Sequence, residues 1–372
     1  MSWTNRVAAL RQSLRQLRVL VRAKKTRAIR DRWMALQKPA LTGTRTCLLD
    51  FTQTALDGEQ GRRFHALVSL LRRAQYDVYL VPRLGFLQSA HKGIKWSAVS
   101  ATHPFDASVG PSKFDLCLTD RSNPAAPAEK TLRVSHHMQW RTDPQHIPLP
   151  YSFHPQIWDL NEDARLEEYR NQERKWLLFF GGNCQQKSYQ KIDHYRWLET
   201  VNRYKLIAQA LTHYPKRTTR LDDAKQLANA KTTNIDGFVL IDSGTHRLPA
   251  EQWMETLSQA HFFLAAPGVD YPLSHNCVET MAVGTIPVLE YGSLFTPALQ
   301  DGVNCIAFSG RAGFQEALER VDSMQADEIA ELRRGAIRYY EDHLSPAAFA
   351  RELMREDARG VQFFSYQTSR AA

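Results

Sequence analysis

Short apolar runs alternate along the chain with stretches whose apolar residues fall on one helical face. Thr46–Phe51, Tyr76–Val81, Asp115–Thr119 and Leu132–Ser135 have the length and composition of strands. Between the first two, Gly58–Ala74 sets Phe64, Leu67, Val68 and Leu71 on one side of a helix. This strand, helix, strand order predicts a βαβ unit opening a parallel sheet. Trp176–Phe180, Gly237–Ile241, His261–Ala266, Ile286–Leu289 and Cys305–Phe308 predict a second set of strands. Helices are predicted over Tyr204–Leu211 and Glu251–Gln259, around Phe314–Arg320, and over Asp327–Leu344 and Pro346–Ala358. Gly85–Pro111 lacks a pattern and reads as a long loop. Pro144, Pro148, Pro150 and Pro155 predict an irregular linker, and the charged stretch Asp159–Lys175 a solvated helix. The expected division is a basic amphipathic helix over 1–38, a first α/β domain with linker over 39–155, a second over 156–345, and a closing helix and tail over 346–372.

The densest chemistry lies between His261 and Leu289. Pro267 and Gly268 end the first strand of this segment. Ser274 then opens a helix with Val278, Met281 and Ala282 on one face, and Gly284 closes it before the next strand. Parallel strands joined by a helix make a right-handed crossover, and ligands of such sheets bind outside the carboxyl ends of the strands. The amides of Ser274, His275 and Asn276 would point out of the helix start, which suits phosphate, with Glu279 about one turn further in. A nucleoside diphosphate fits that spacing: phosphates at the helix start, ribose hydroxyls on the carboxylate. Trp176–Phe180 ends in Gly181-Gly182-Asn183, a turn whose first two residues carry no Cβ to block a ligand.

Charge changes the picture at one end only. The net charge is +9, yet residues 1–38 alone carry eleven Lys or Arg against the single acid Asp31, so the rest is close to neutral. Within this appendage Trp3, Val7, Leu10, Leu14, Leu17 and Val21 recur at spacings of four and three, an apolar stripe flanked by arginines. An amphipathic helix on an anionic membrane surface, through residues 1–35, accounts for both features. A coiled-coil seam or a helix packed on the body accounts for the stripe alone. Nucleic acid is not expected as a partner, because the rest of the chain offers no basic face or recognisable module. Five cysteines, odd in number and far apart, read as free thiols of a reducing compartment. With no apolar run of membrane-spanning length and no signal-peptide core, the expectation is a cytoplasmic protein, peripheral on the inner face of a membrane.

The segment from His261 to Leu289 resembles the donor-binding motif of GT-B-type glycosyltransferases, in which a proline-containing turn leads to a helix reading E-A-M-A-x-G and a strand reading x-P-V. The matching residues are Glu279, Thr280, Met281, Ala282, Val283 and Gly284, then Ile286, Pro287 and Val288. The turn Pro267-Gly268-Val269-Asp270-Tyr271-Pro272 is closest to the exostosin-like branch. Tyr271 stands where the large retaining branch has a second glutamate, eight positions before the first. The resemblance implies two Rossmann-like α/β domains facing across a cleft, the second binding a nucleotide sugar and the first presenting an acceptor. Gly181 and Gly182 would then belong to the donor site. Lys187 and Arg203 resemble positions where exostosin-like enzymes carry basic residues, which would stabilise the departing diphosphate.

The resemblance assigns no catalytic base. Asp57 and Glu59, after the first strand, are the nearest candidates, although helix-start carboxylates interacting with the dipole explain them as well. His136 and His137 also follow a strand. No D-x-D, H-E-x-x-H, Walker loop, G-x-S-x-G, G-x-G-x-x-G or zinc-spaced cysteine set occurs, so no metal or cofactor is expected. The expected activity is metal-independent transfer of a hexosyl or related group from a nucleotide sugar to a glycan or lipid-linked glycan, in surface polysaccharide synthesis. A non-catalytic, membrane-associated partner of a polysaccharide assembly complex, or a nucleotide-sugar epimerase, would share the motif.

Overall fold

The computed structural model describes residues 22–52, 61–90, 93–108, 110–135, 144–189, 200–269 and 272–363. The chain forms two units, one of Met1–Leu149 with Phe349–Ala372, the other of Pro150–Ala348. Each is an α/β unit built on a parallel sheet.

In the first unit a helix over residues 22–34 (α1) precedes strand β1, Arg45–Asp50, helix α2, Arg62–Arg73, and strand β2, Tyr76–Leu80. Helix α3 is Gly93–Ser100, and strands β3, β4, β5 and β6 are His103–Pro104, Phe114–Thr119, Ala128–Ser135 and His146–Pro148. A strand near the end of the chain, Gly360–Gln362 (β13 in chain order), completes the sheet in the order β3-β2-β1-β4-β5-β13-β6, with every pair parallel. Leu48, Tyr79, Phe105, Phe114 and Cys117 form one apolar cluster of this unit, while Phe51, Phe64 and Phe86 meet edge-on or tilted with centroids 4.9–6.4 Å apart. Phe363 of the tail joins the second group, 6.5 Å from Phe51.

The second unit runs through helix α4, Pro155–Asp159, strand β7, Trp176–Gly182, helix α5, Arg203–His213, and strands β8, Thr218–Arg220, and β9, Ile235–Asp242. Helix α6, Ala250–Leu257, strand β10, Ala260–Leu264, helix α7, His275–Ala282, and strands β11, Ile286–Leu289, and β12, Ile306–Ala307, follow. Helices α8, Gly310–Ser323, and α9, Ala326–Tyr339, come next. The sheet order is β12-β11-β10-β7-β9-β8, again all parallel. Alternate side chains explain the continuous apolar runs. Leu178, Phe180, Phe262 and Leu264 pack in one cluster with α5 and α8, while Phe179 and Phe263 turn to Trp253 of α6.

Three expectations need correction. The segment Gly85–Pro111 is not one long loop: it holds a turn of helix at Leu84–Leu87, helix α3 and strand β3. The proline-rich segment is also structured. Its strand β6 lies at the sheet edge, where a missing N–H is tolerated, and Pro155 starts α4, where its fixed φ suits the first turn. Within Asp159–Lys175, Asp159 ends α4 and beyond it only Glu162–Arg165 and Leu166–Asn171 are helical; Tyr169 is fully buried, donating its hydroxyl to Glu162. The closing strand β13 was not anticipated, because three residues give no period to read.

Candidate functional site

The second sheet changes winding direction between β7 and β10: the chain passes from β7 to β8 and β9 on one side, then to β10, β11 and β12 on the other. Ligands of open parallel sheets bind outside the strand ends at such a point. A pocket of about 460 Å³ lies there, lined by the end of β7 (Gly181, Gly182), the loop after β9 (His246, Arg247), Trp253 of α6, the start of α7 (His275, Asn276), Glu279, and the α4 segment His154–Ile157.

Local sequence explains the wall. Ser274 takes the extended conformation of an N-cap (φ −136°, ψ 155°) but its side chain makes no capping bond, so the cap leaves the first-turn amides of α7 to other acceptors. Gly284, at φ +78°, ends the excursion after α7 in the left-handed conformation that disfavours other residues. Gly181 is required for space: a Cβ there would lie 2.8 Å from the rings of both Phe179 and Trp253.

Glu279 forms the floor and is fully buried. Its Oε1 accepts the His154 N–H at 2.7 Å and its Oε2 accepts the Trp253 Nε1–H at 2.6 Å. A buried carboxylate needs such partners. The His154 and His275 rings meet 4.8 Å apart. His246 lines the same pocket with Nε2 buried and without a hydrogen-bond partner.

Arg203 lies behind this wall. Its Nε donates to the Pro267 carbonyl at 3.0 Å, Nη2 to the Ala266 carbonyl at 3.3 Å and Nη1 to the Tyr189 hydroxyl at 2.6 Å, with the guanidinium 4.4 Å over the Tyr189 ring. It thus clamps the loop that leads from β10 to α7. Burial lowers its pKa, yet the charge sits directly behind Gly182, whose Cβ position is 3.4 Å from Nη1. Lys187 is exposed on the short helix Gln186–Tyr189 and is not among the pocket residues.

The expected donor residues are therefore distributed in three ways. Gly181, Gly182, His275, Asn276 and Glu279 come together around the pocket, with Ser274 as the adjoining cap. Arg203 supports them from behind, and Lys187 stands apart. His154, His246, Arg247 and Trp253 were not foreseen. The Asp242-Ser243-Gly244 loop at a strand end was the available signal for the β9 side, whereas His154 comes from a proline-rich stretch with no signal.

Asp57, Glu59, His136 and His137 lie outside the described residues. At the corresponding point of the first sheet, between β1 and β4, Thr52 donates its N–H and Oγ1 to Asp120 at 2.9–3.0 Å. Beside it the fully buried Asp50 accepts from Arg83 and, at 2.9 Å, from the Ala125 N–H. Among the described residues no group of three or more His, Cys, Asp or Glu is placed to hold a metal ion.

Residues 112–302 match the Exostosin GT47 domain. No curated protein matches the chain. Among solved structures, the chain is similar to a glycosyltransferase from Rickettsia africae (9% identity, TM-score 0.43, covering 84% of this chain and 100% of that one). It is also similar to Anabaena Alr3699/HepE in complex with UDP-glucose (11% identity, TM-score 0.40, 83% and 98% covered). The domain match takes in just over half of the chain and contains β7 to β11 with the whole loop-to-α7 crossover. On that match the chain belongs to the exostosin GT47 family of glycosyltransferases.

Proposed function

We propose that the second unit binds a nucleotide sugar, and that the protein passes the sugar to a glycan or lipid-linked glycan in surface polysaccharide synthesis at an anionic membrane. The observation that carries this reading is the pocket at the winding reversal, with the first turn of α7 in its wall and the buried Glu279 carboxylate as its floor. In this reading the diphosphate lies at the start of α7, where amide donors and the helix dipole favour negative charge. Ribose hydroxyls donate to the Glu279 carboxylate. When the glycosidic bond breaks, its electron pair goes to the diphosphate, and α7 together with Arg203 stabilises that charge without a metal ion. Lys187 can add to this only by reaching in from the surface. In an inverting transfer a carboxylate of the first unit, with Asp57 and Glu59 as the sequence candidates, takes the acceptor proton.

The test is nucleoside diphosphate release from a panel of nucleotide sugars, with and without oligosaccharide acceptors. Acceptor-dependent release from one donor is expected, lowered about 10- to 100-fold in Glu279→Ala, the range for losing hydrogen bonds to a charged group. Conversion of donor with no acceptor present would instead assign an epimerase. Binding without any turnover would assign a non-catalytic partner.

A further inference from the structure

We propose that the exposed cations of α1 dock the first unit on an anionic lipid surface. The proposal deepens the reading of residues 1–35 as a membrane-binding appendage and is independent of the transfer chemistry. An amphipathic helix binds a bilayer by inserting its apolar side. In α1 that side is already used: Thr26, Ile29 and Trp33, spaced three and four apart, are buried at 3%, 7% and 0% exposure, and the Arg32 guanidinium lies 4.3 Å over the ring of Trp96 on α3. Over residues 22–34 the helix is therefore part of the body of the first unit, and the side that carries Ile29 and Trp33 is not available to lipid.

The remaining surface is cationic: Lys24 and Arg27 lie away from that side, Lys25 flanks it and Arg22 is in line with it at the start of the helix. All four are exposed, and among the described residues none is paired with a carboxylate. The one acid of the helix, Asp31, is held by Arg30 at 2.8 Å. A charge run of this kind can be a merely solvated face. Two features favour a bilayer over solvent or nucleic acid. The helix is anchored, so its cations form a fixed patch rather than a mobile tail. Met34 and Leu41, at the end of α1 and just beyond it, are 46% and 57% exposed, and are two of six large apolar side chains so exposed among the described residues. Apolar side chains beside cations suit the headgroup boundary, where bases meet phosphates and short apolar groups meet the acyl edge. Phosphates of a nucleic acid offer nothing to the apolar pair.

The experiment is sedimentation of the full-length protein with vesicles of phosphatidylcholine alone or with about one third phosphatidylglycerol, at salt from about 0.1 to 0.5 M. Binding is expected only with the anionic lipid and is lost at the higher salt, where the Debye length falls well below 10 Å or so. A Lys24→Glu, Lys25→Glu, Arg27→Glu variant, all at exposed positions, is expected to bind at least about 100-fold more weakly, since each basic residue near an anionic leaflet is worth about five-fold in partitioning. Its thermal midpoint should match the parent chain. Salt-resistant binding that survives in the variant would overturn the proposal and assign insertion of a different segment. Absence of vesicle binding would overturn it too, and binding of the parent chain to a short RNA in its place would reassign the patch to nucleic acid. None of these outcomes touches the donor pocket, so a failure here is separate from a failure of the transferase reading.

Discussion

Glu279 does two things with one carboxylate. It fixes the α4 segment through His154 and the α6 helix through Trp253, and it lines the pocket. Its position was legible in the sequence because the E-x-M-A-x-G spacing is local. His154 and Trp253 were not, because they reach Glu279 from 125 and 26 residues away. His261 carries a pH prediction. Burial, followed by the charges of Arg333 and Arg174, pushes its pKa down to about 4, and its Nδ1 accepts from Arg333 Nη2 at 3.0 Å. The folded protein holds this ring neutral, while the unfolded chain binds a proton near the ordinary value of 6.5. The contribution of the ring is therefore complete above pH 6.5 and is lost as pH falls towards 4, by at most roughly 3 kcal/mol. Denaturant unfolding of the parent chain and His261→Gln between these limits checks the sign. The variant should lose less stability on acidification, and an identical slope would show that His261 takes up no proton on unfolding.

Elements with a clear period were readable from the chain, and their bounds moved by only a few residues. The predicted strand Ile286–Leu289 is found unchanged, and the helix capped by Ser274 runs His275–Ala282. Strands β3, β6, β8 and β13, of two or three residues each, have no period to read; neighbours already in the sheet, not their own sequence, hold them there. What fixes one helix against another was equally silent. Arg174 donates Nη1 to the carbonyl of Ser258, which caps α6, and Nη2 to that of Val283, which caps α7, at 2.5 Å. Arg170 Nε adds the Ala282 carbonyl at 2.9 Å. Cations at helix C-termini are favoured by the dipole, and this pair of termini belongs to the helices carrying Trp253 and Glu279. Burial lowers the Arg174 pKa to about 9, so the carbonyls compensate a costly charge. Arg174→Met is expected to destabilise by about 2–4 kcal/mol, with Arg174→Lys intermediate. Nucleotide affinity, measured well below the melting temperature, should also fall in Arg174→Met. A loss smaller than about 0.5 kcal/mol would remove Arg174 from this role.

At the scale of the molecule, the chain builds the first unit from both of its ends: residues 1–149 and 349–372 share one sheet, with β13 between β5 and β6. The two parallel sheets were legible from the repeated strand, helix, strand order. Membership of β13 was not, because long-range pairing leaves no local trace. Among the described residues no helix is long and apolar enough to cross a membrane, and the charge excess is confined to the first 38 residues. Chemistry and charge thus occupy different units, the donor pocket in the second and the cationic helix face in the first. The central claim concerns the pocket and is tested most directly by calorimetric titration of nucleoside diphosphates into the purified chain, Glu279→Ala and Arg203→Met, without added metal. One nucleotide should bind the parent chain, about 10- to 100-fold more weakly in Glu279→Ala and measurably more weakly in Arg203→Met. Equal affinity in the parent chain and Glu279→Ala, or no binding of any nucleoside diphosphate, would contradict the account.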